Sequence, residues 1–327
     1  MGNFYLNNPK FRHNLWTVND DIHYLRFLDG LFEVDESDSR DFYQIRRYCT
    51  GHNTIEEVAE KSNISIEKIR QIIASFDEIG MLRIESSRSE DSPKMKISQA
   101  CEMWAEQVEE THIINKIVYN EVPKTVLAGF LLETYHYIKT YPKILLGAAE
   151  STEDESLRTI LVNYYQQEVG HQEFVVNSLI KMGYKRNEIE TSIPLVSTAS
   201  MLSMMEAFCK RYPAGTFWLA TVIENDEFNE DEFNSTKAKI CENYDLPLDS
   251  MDSFFKHSKV DYELGHSELA NTYQEYLPDV DIKTASNILN DLHDIKHAID
   301  VQCLEIEEYY SKVGNYIPRQ RVDYFGV

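Results

Sequence analysis

The sequence predicts a mainly α protein, a long all-helical domain preceded by a small α+β domain. Three observations lead there. From residue 97 onward the apolar residues recur at helical spacing and almost no stretch alternates as a strand would. Before residue 86, β-favouring runs around a turn dipeptide are mixed with short helical runs. Between them lies a polar, charged, proline-containing stretch that reads as a linker. The expected division is 1–86, a linker at 87–96, and 97–327.

The elements follow in order. In DIHYLRFLDGLFEVD, β-favouring residues flank Asp29-Gly30, a dipeptide suited to a tight type I′ turn, so a hairpin is expected. DSRDFYQIRRYCTG reads as a helix stopped near Gly51. Thr54 with Glu57 is a capping-box pattern opening TIEEVAEKS. Ser65 opens a further helix in which Ile66, Ile69, Ile73 and Phe76 repeat at helical spacing. Gly80 ends it, and MLRIES reads as a closing strand. Hairpin, helix, helix-turn-helix and strand make a winged-helix outline. Beyond the linker the expected helices are 97–120, 124–149, 154–182, 197–210, 215–244, 248–276 and 283–313, with a loose tail from about Gly314.

Bulk composition narrows the function. With 43% hydrophobic and 27% charged residues the chain is an ordinary globular protein. No apolar run is long enough to span a membrane, and the start MGNFYLNNPKFRHNLW lacks the apolar core of a secretory signal. The five cysteines are scattered with no C-x-x-C, which fits reduced thiols and a cytoplasmic setting. The formal charge of −23 argues against nonspecific nucleic-acid or anionic-membrane binding. Even the winged-helix segment, residues 1–90, carries 11 basic and 16 acidic residues, and its second helix has no basic stripe to follow phosphates.

That layout is similar to the small domain that binds leader peptides in ribosomal-peptide biosynthesis, of which the pyrroloquinoline-quinone peptide chaperone is a relative. HYLRFLDGLFEVD and YCTGHNTIEEVAEKSNISIEKIRQIIASFDEIGML carry the resemblance. It implies a precursor or leader peptide as partner, adding as a strand to the edge of the hairpin sheet. The competing expectation is an interaction or dimerisation module, which would make the protein a homodimer.

In the helical domain four E-x-x-H pairs occur: Glu109/His112, Glu133/His136, Glu168/His171 and Glu263/His266. Residues three apart share one face of a helix, so each pair could hold a metal, yet about one such pair is expected by chance in a glutamate-rich chain. The stronger signal is a combination. Glu168 and His171 lie in one apparent helix, and Glu224 ends the apolar run FWLATVIENDEF. His257 and Asp261 sit four apart after two phenylalanines. A carboxylate at the end of an apolar run is costly unless it is paired or binds a cation. Carboxylates with imidazoles and no cysteine suit iron or manganese better than structural zinc.

These residues resemble the heme-oxygenase-like diiron oxidases and oxygenases, which share a seven-helix fold with pyrroloquinoline-quinone synthase and the thiaminase-like proteins. The resemblance covers about residues 100–311, on TYHYIKTYPKIL, QQEVGHQEFVVNSLIKMGY, the Glu224 helix and FFKHSKVDYELGH. It implies metal ligands at Glu168, His171, Glu224, His257 and Asp261. The family's third helix reads H-x-x-x-D-x-x-H, which would put the last histidine at 264, where this chain has leucine. His266 is nearest, but on a straight helix it lies about 900° round from His257, on the opposite side. It can join only if the helix bulges or unwinds near Gly265, with Glu263 as the alternative ligand.

The resemblance further implies two ferrous ions, O2, an external electron donor, and oxidation of an amino-acid or fatty-acid substrate; manganese suits the same ligands. An amino-acid side chain within a tethered precursor peptide is the expected substrate. Tyr135, His136 and Tyr164 are the expected substrate-facing residues. Two other readings compete: a ferritin-like diiron protein that uses Glu133 and His136 but not Glu224, and a metal-free helical interaction protein with a winged-helix adaptor. Glu109/His112 is expected at the surface, His293/His297 as a satisfied pair, and the Met201, Met204, Met205, Phe208 stripe as core.

Overall fold

The computed structural model describes residues 7–19, 22–27, 30–82, 92–224 and 229–326. The chain divides into two units, Met1–Ser92 and Pro93–Val327.

In the first unit, β1 (Leu15–Asn19), β2 (Ile22–Phe27) and β3 (Gly30–Val34) form an antiparallel sheet in the order β1-β2-β3. The expected hairpin is β2–β3; β1 was not anticipated. Gly30 pairs with Phe27 as the first residue of β3, so it sits one position further into the strand than the Asp29-Gly30 turn required. Asp29 itself lies outside the described residues. Three helices follow: α1 (Glu36–Arg46), α2 (Ile55–Ser62) and α3 (Ile66–Glu78). Thr54 closes a capping box with Glu57, each side chain meeting the other's backbone N–H, at 3.2 and 2.7 Å. Leu25, Phe42, Ile45, Val58, Ile69, Ile73 and Phe76 make the core that holds helices and sheet together. Leu82 bridges to Phe11, and the rest of the expected closing strand falls outside the described residues.

The second unit is helical throughout its described residues. α4 (Pro93–Thr111) opens inside the stretch expected as linker, and α5 (Ile113–Val118) is separated from it at His112. α6 (Lys124–Glu150) runs through the centre, with 18 of its 27 residues buried. A helix with apolar residues on nearly every side must be surrounded. α7 (Glu155–Glu168), α10 (Val196–Arg211) and α15 (Ile282–Ser311) pack on it, as does α8 (Gln172–Lys181). The remaining helices are α9 (Arg186–Thr191), α11 (Thr216–Ile223), α12 (Glu230–Asn243), α13 (Asp252–Leu264) and α14 (Leu269–Thr272).

Four expected helices are therefore interrupted, the 97–120 helix at His112. The 154–182 helix breaks at Val169-Gly170, and the 248–276 helix breaks at Gly265. The 215–244 helix is described as α11 and α12, the residues between Glu224 and Asn229 being outside the description. The tail is also less loose than expected, because Ile193 N–H donates to the Arg319 carbonyl at 3.0 Å and Pro318 is buried. No helix among the described residues is long and apolar enough to cross a membrane.

Candidate metal centre

Two short breaks build the site. α7 ends at Glu168; Val169 is extended, Gly170 takes φ +97°, and His171 starts the next turn ahead of α8. α13 ends at Leu264, Gly265 takes φ +75°, and His266 opens a 3-10 turn. Left-handed backbone of this kind is reached most easily by glycine, and by asparagine and aspartate at a cost. Glu168 and His171 thus meet around a turn and not along one helical face, which corrects the helix argument for their spacing. His266, which a straight helix would point away, is swung into the interior and is 1% exposed.

The other donors come from α13 and the end of α11. His257 and Asp261 lie one turn apart on α13 and touch, Nδ1 to Oδ2 at 3.0 Å. Phe254 N–H donates to the fully buried Ser178 hydroxyl at 3.1 Å, which registers the start of α13 against α8. Glu224 is the residue after the last turn of α11.

All six residues converge. Glu168 spans the cluster: Oε1 is 3.1 Å from His266 Nδ1, and Oε2 is 3.5 Å from His171 Nδ1. Asp261 Oδ1 is 3.3 Å from His171 Nδ1 and 3.8 Å from His266 Nδ1. Glu224 Oε2 is 3.1 Å from His266 Nδ1. Two three-residue groups offer ligand atoms within 4.8 Å of one another, Glu168/His171/His257 and Glu168/Glu224/His266, and they share Glu168.

Close as they are, these atoms do not satisfy one another. Each of the six residues contributes one buried atom without a hydrogen bond: Glu168 Oε1, His171 Nδ1, Glu224 Oε2, His257 Nε2, Asp261 Oδ1 and His266 Nδ1. Leaving a buried polar atom unmet costs roughly 1–3 kcal/mol, so six in one place form an unstable end state. A cation between the carboxylates and imidazoles would resolve it, and oxygen and nitrogen donors without sulfur are of the kind that iron and manganese take.

The electrostatics carry the same strain. Burial alone would lower His266, but the carboxylates of Glu168 and Glu224 outweigh it and hold its pKa at about 10. Burial lifts Glu224 to about 7, with His266 opposing and Glu168 adding to the rise. His171 is raised, its burial outweighed by Asp261 and Glu168, whereas burial lowers His257.

Phenols wall one side. Tyr164 O–H donates to Glu224 Oε1 at 2.8 Å, and its hydroxyl lies 3.2 Å from that of Tyr141. Tyr137 stacks on Tyr141 at 5.5 Å, and its buried hydroxyl has no partner. Burial, and then the Glu224 carboxylate, push all three phenols well above their ordinary range, so they stay neutral donors.

Of the expected substrate-facing residues, Tyr164 lies at the cluster, donating to Glu224, and the other two sit elsewhere. Tyr135 accepts from Lys139 at 2.8 Å, and His136 Nε2 pairs with Ser192 at 2.9 Å. Glu133 accepts from Tyr310 at 2.8 Å and from Leu195 N–H at 2.9 Å, so both its oxygens are used and it joins neither group. A ferritin-like set built on Glu133 and His136 without Glu224 does not match this placement. Glu263 is exposed. His112, expected at the surface, is a half-buried cap of α5 whose pKa burial pushes down to about 4. His293 is half-buried against Trp104 and His297 is exposed. Met201, Met205 and Phe208 are core.

Sequence reasoning missed Tyr137, Tyr141 and the break at Gly170, and named a break near Gly265 as the condition for His266 to join. A signal for the breaks was present: EVGHQE (168–173) and ELGHSE (263–268) are one pattern used twice, with helix, left-handed glycine and histidine in the same order.

No family model and no curated protein matches the chain. Among solved structures, it is similar to a domain of unknown function with a heme oxygenase-like fold from Shewanella denitrificans OS217, at 18% identity and a TM-score of 0.53, over 65% of this chain and 90% of that one. The helical unit has a heme oxygenase-like fold.

Proposed function

We propose that the helical unit is an O2-dependent, non-heme diiron oxidoreductase, an oxidase or oxygenase. Its substrate would be an amino-acid side chain in a ribosomally made precursor peptide held by the N-terminal unit. One observation carries the metal reading: six buried, unpartnered donor atoms, one from each of Glu168, His171, Glu224, His257, Asp261 and His266, in two groups joined by Glu168.

When bound there, a pair of ferrous ions supplies the electrons that reduce O2. The chain's own residues do the rest. Glu168 offers one oxygen to each group and so fixes their separation. His171 and His257 serve one group, Glu224 and His266 the other, and Asp261 lies against histidines of both. Tyr164 holds Glu224, and the neutral phenols of Tyr137 and Tyr141 exclude water while keeping hydrogen-bond donors near the carboxylates. An external donor restores the reduced state between turnovers. For the peptide half, the support is the edge strand β3, whose backbone can pair with an extended chain. Tethering would raise the local concentration of the target side chain.

The test is anaerobic Fe(II) loading with the metal counted, then O2 exposure followed by optical spectroscopy. Close to two irons per chain and an O2-dependent absorption are expected, both lost in His171→Ala. Failure to retain iron, or iron with no response to O2, refutes the reading. The peptide half is tested separately, by fluorescence anisotropy of a labelled precursor peptide against the full chain. Absence of saturable binding removes that half alone.

A further inference from the structure

The last turn of α7 carries more than the ligand Glu168. Tyr164 and Gln167 stand four and one residues before it, and each reaches a donor from a distant segment. Tyr164 O–H donates to Glu224 Oε1 at 2.8 Å. Since that proton is spent on Glu224, Tyr164 receives the proton of Tyr141 across 3.2 Å, so the chain runs one way, Tyr141 to Tyr164 to Glu224. The oxygen left over is Oε2, which is buried, unpartnered and turned toward His266. Gln167 Oε1 lies 3.3 Å from His266 Nε2, the geometry in which Nε2–H donates to the amide oxygen. The nitrogen left over is Nδ1, which is also buried, unpartnered and turned toward Glu168 and Glu224. The ring of Tyr164 packs edge-on against the imidazole of His266, with centroids 4.8 Å apart, and limits its rotation.

Both targets need such help. Glu224 lies beyond the last helical residue of α11, with φ −129° and ψ 34°, and His266 follows the break at Gly265. Neither side chain is aimed by a continuous helix, as His257 and Asp261 are on α13.

We infer that Tyr164 and Gln167 are positioning residues that make the last turn of α7 the template of one metal subsite, selecting Glu224 Oε2 and His266 Nδ1 as the atoms offered beside Glu168. The inference rests on the metal reading above and adds an asymmetry to it. The Glu168/Glu224/His266 group is preset by hydrogen bonds from a single helical turn. The Glu168/His171/His257 group takes no such hydrogen bonds from that turn; His257 is oriented on its own helix, where Nδ1 lies 3.0 Å from Asp261 Oδ2 and Nε2 is the atom left over. Hydrogen bonds behind metal ligands are worth roughly ten- to a hundredfold in affinity.

The experiment is Mn(II) titration of the metal-free full chain, read by the EPR signal of the free ion. It compares wild type, Tyr164→Phe, Gln167→Leu and the exposed control Glu263→Gln, with a thermal melt of each metal-free protein. Tyr164→Phe is expected to weaken one of two bound equivalents by roughly ten- to a hundredfold and leave the other unchanged. Gln167→Leu, at a surface position that does not disturb the core, is expected to weaken the same equivalent, and Glu263→Gln to match wild type. Two equivalents bound by both variants with wild-type affinity overturn the inference while the metal reading stands. Loss of both equivalents together with thermal stability marks a merely structural role and also overturns it. A wild type that takes up no Mn(II) and no Fe(II) overturns the metal reading and this inference with it.

Discussion

Replacing Gly265 by alanine tests the geometry of the site most directly. Gly265 sits at φ +75° and ψ 30°, and a Cβ built there meets nothing within 4 Å. The cost is therefore conformational and not steric: about 1–2 kcal/mol to hold an L-residue in left-handed backbone. For a helical unit of this size that is a melting point lower by roughly 2–8 °C. The chain can escape the cost by continuing α13 through residue 265, but each added helical residue turns the next side chain by about 100°, and His266 then leaves Glu168 and Glu224. Gly265→Ala is thus expected to lose thermal stability, metal stoichiometry, or both. Gly265→Asn, which tolerates this backbone better, is expected to recover most of each. The assay is a thermal melt of the metal-free protein paired with a count of bound Fe(II). If Gly265→Ala melts like wild type and still binds its full complement of metal, the left-handed turn is not what brings His266 into the cluster.

Metal saturation at a hundred times Kd should stabilise the protein by about 2.7 kcal/mol, a rise of roughly 5–10 °C in melting point, and no rise with Fe(II) or Mn(II) would count against binding at the cluster. Without metal, the folded pKa values of Glu224 (about 7) and His266 (about 10) stand above their ordinary values of 4.5 and 6.5. Their stabilising contributions are therefore complete below about pH 4.5 and 6.5 and fade as pH rises through about 7 and 10. Metal-free stability should fall over that window in a pH series of melts; a flat or rising profile contradicts it. Glu133→Ala strands Tyr310 O–H and Leu195 N–H and should cost roughly 2–4 kcal/mol in urea titration, yet leave metal content unchanged. Thr54→Ala removes the capping box of α2 and should cost the N-terminal unit about 1 kcal/mol without altering metal binding.

What could be read from the sequence was what local chemistry decides. Thr54 and Ser65 cap the helices they were expected to open, because a side-chain oxygen meeting a free N–H needs no distant partner. The helix expected at 124–149 is α6, because helical spacing of apolar residues is a property of the segment itself. The break at Gly170 was hidden, since a single glycine inside a helical pattern is ordinarily tolerated, and the one at Gly265 was raised only because His266 on a straight helix points away. The residues brought together as a cluster were named from spacing and resemblance, yet the reason Glu168 and His171 meet is a turn and not a helical face. Tyr137 and Tyr141 escaped notice because a phenol stripe at helical spacing looks like any core stripe until its hydroxyls are traced. Tyr135 and His136, two and one residues before Tyr137, face a different set of neighbours for the same periodic reason.

The donors of the cluster are contributed by segments that begin at Glu168 and end at His266, roughly a hundred residues apart, and loops of that length close late and at an entropic cost. A chain still lacking α13 has Glu168, His171 and Glu224 but neither His257 nor His266, so it cannot assemble either group. Under the function proposed above, iron capture would be deferred until the bundle is nearly complete, which would keep a redox-active ion off half-made chains. An ion held there would act as a clasp across that long loop, and the finished protein would be harder to unravel than the one that bound it.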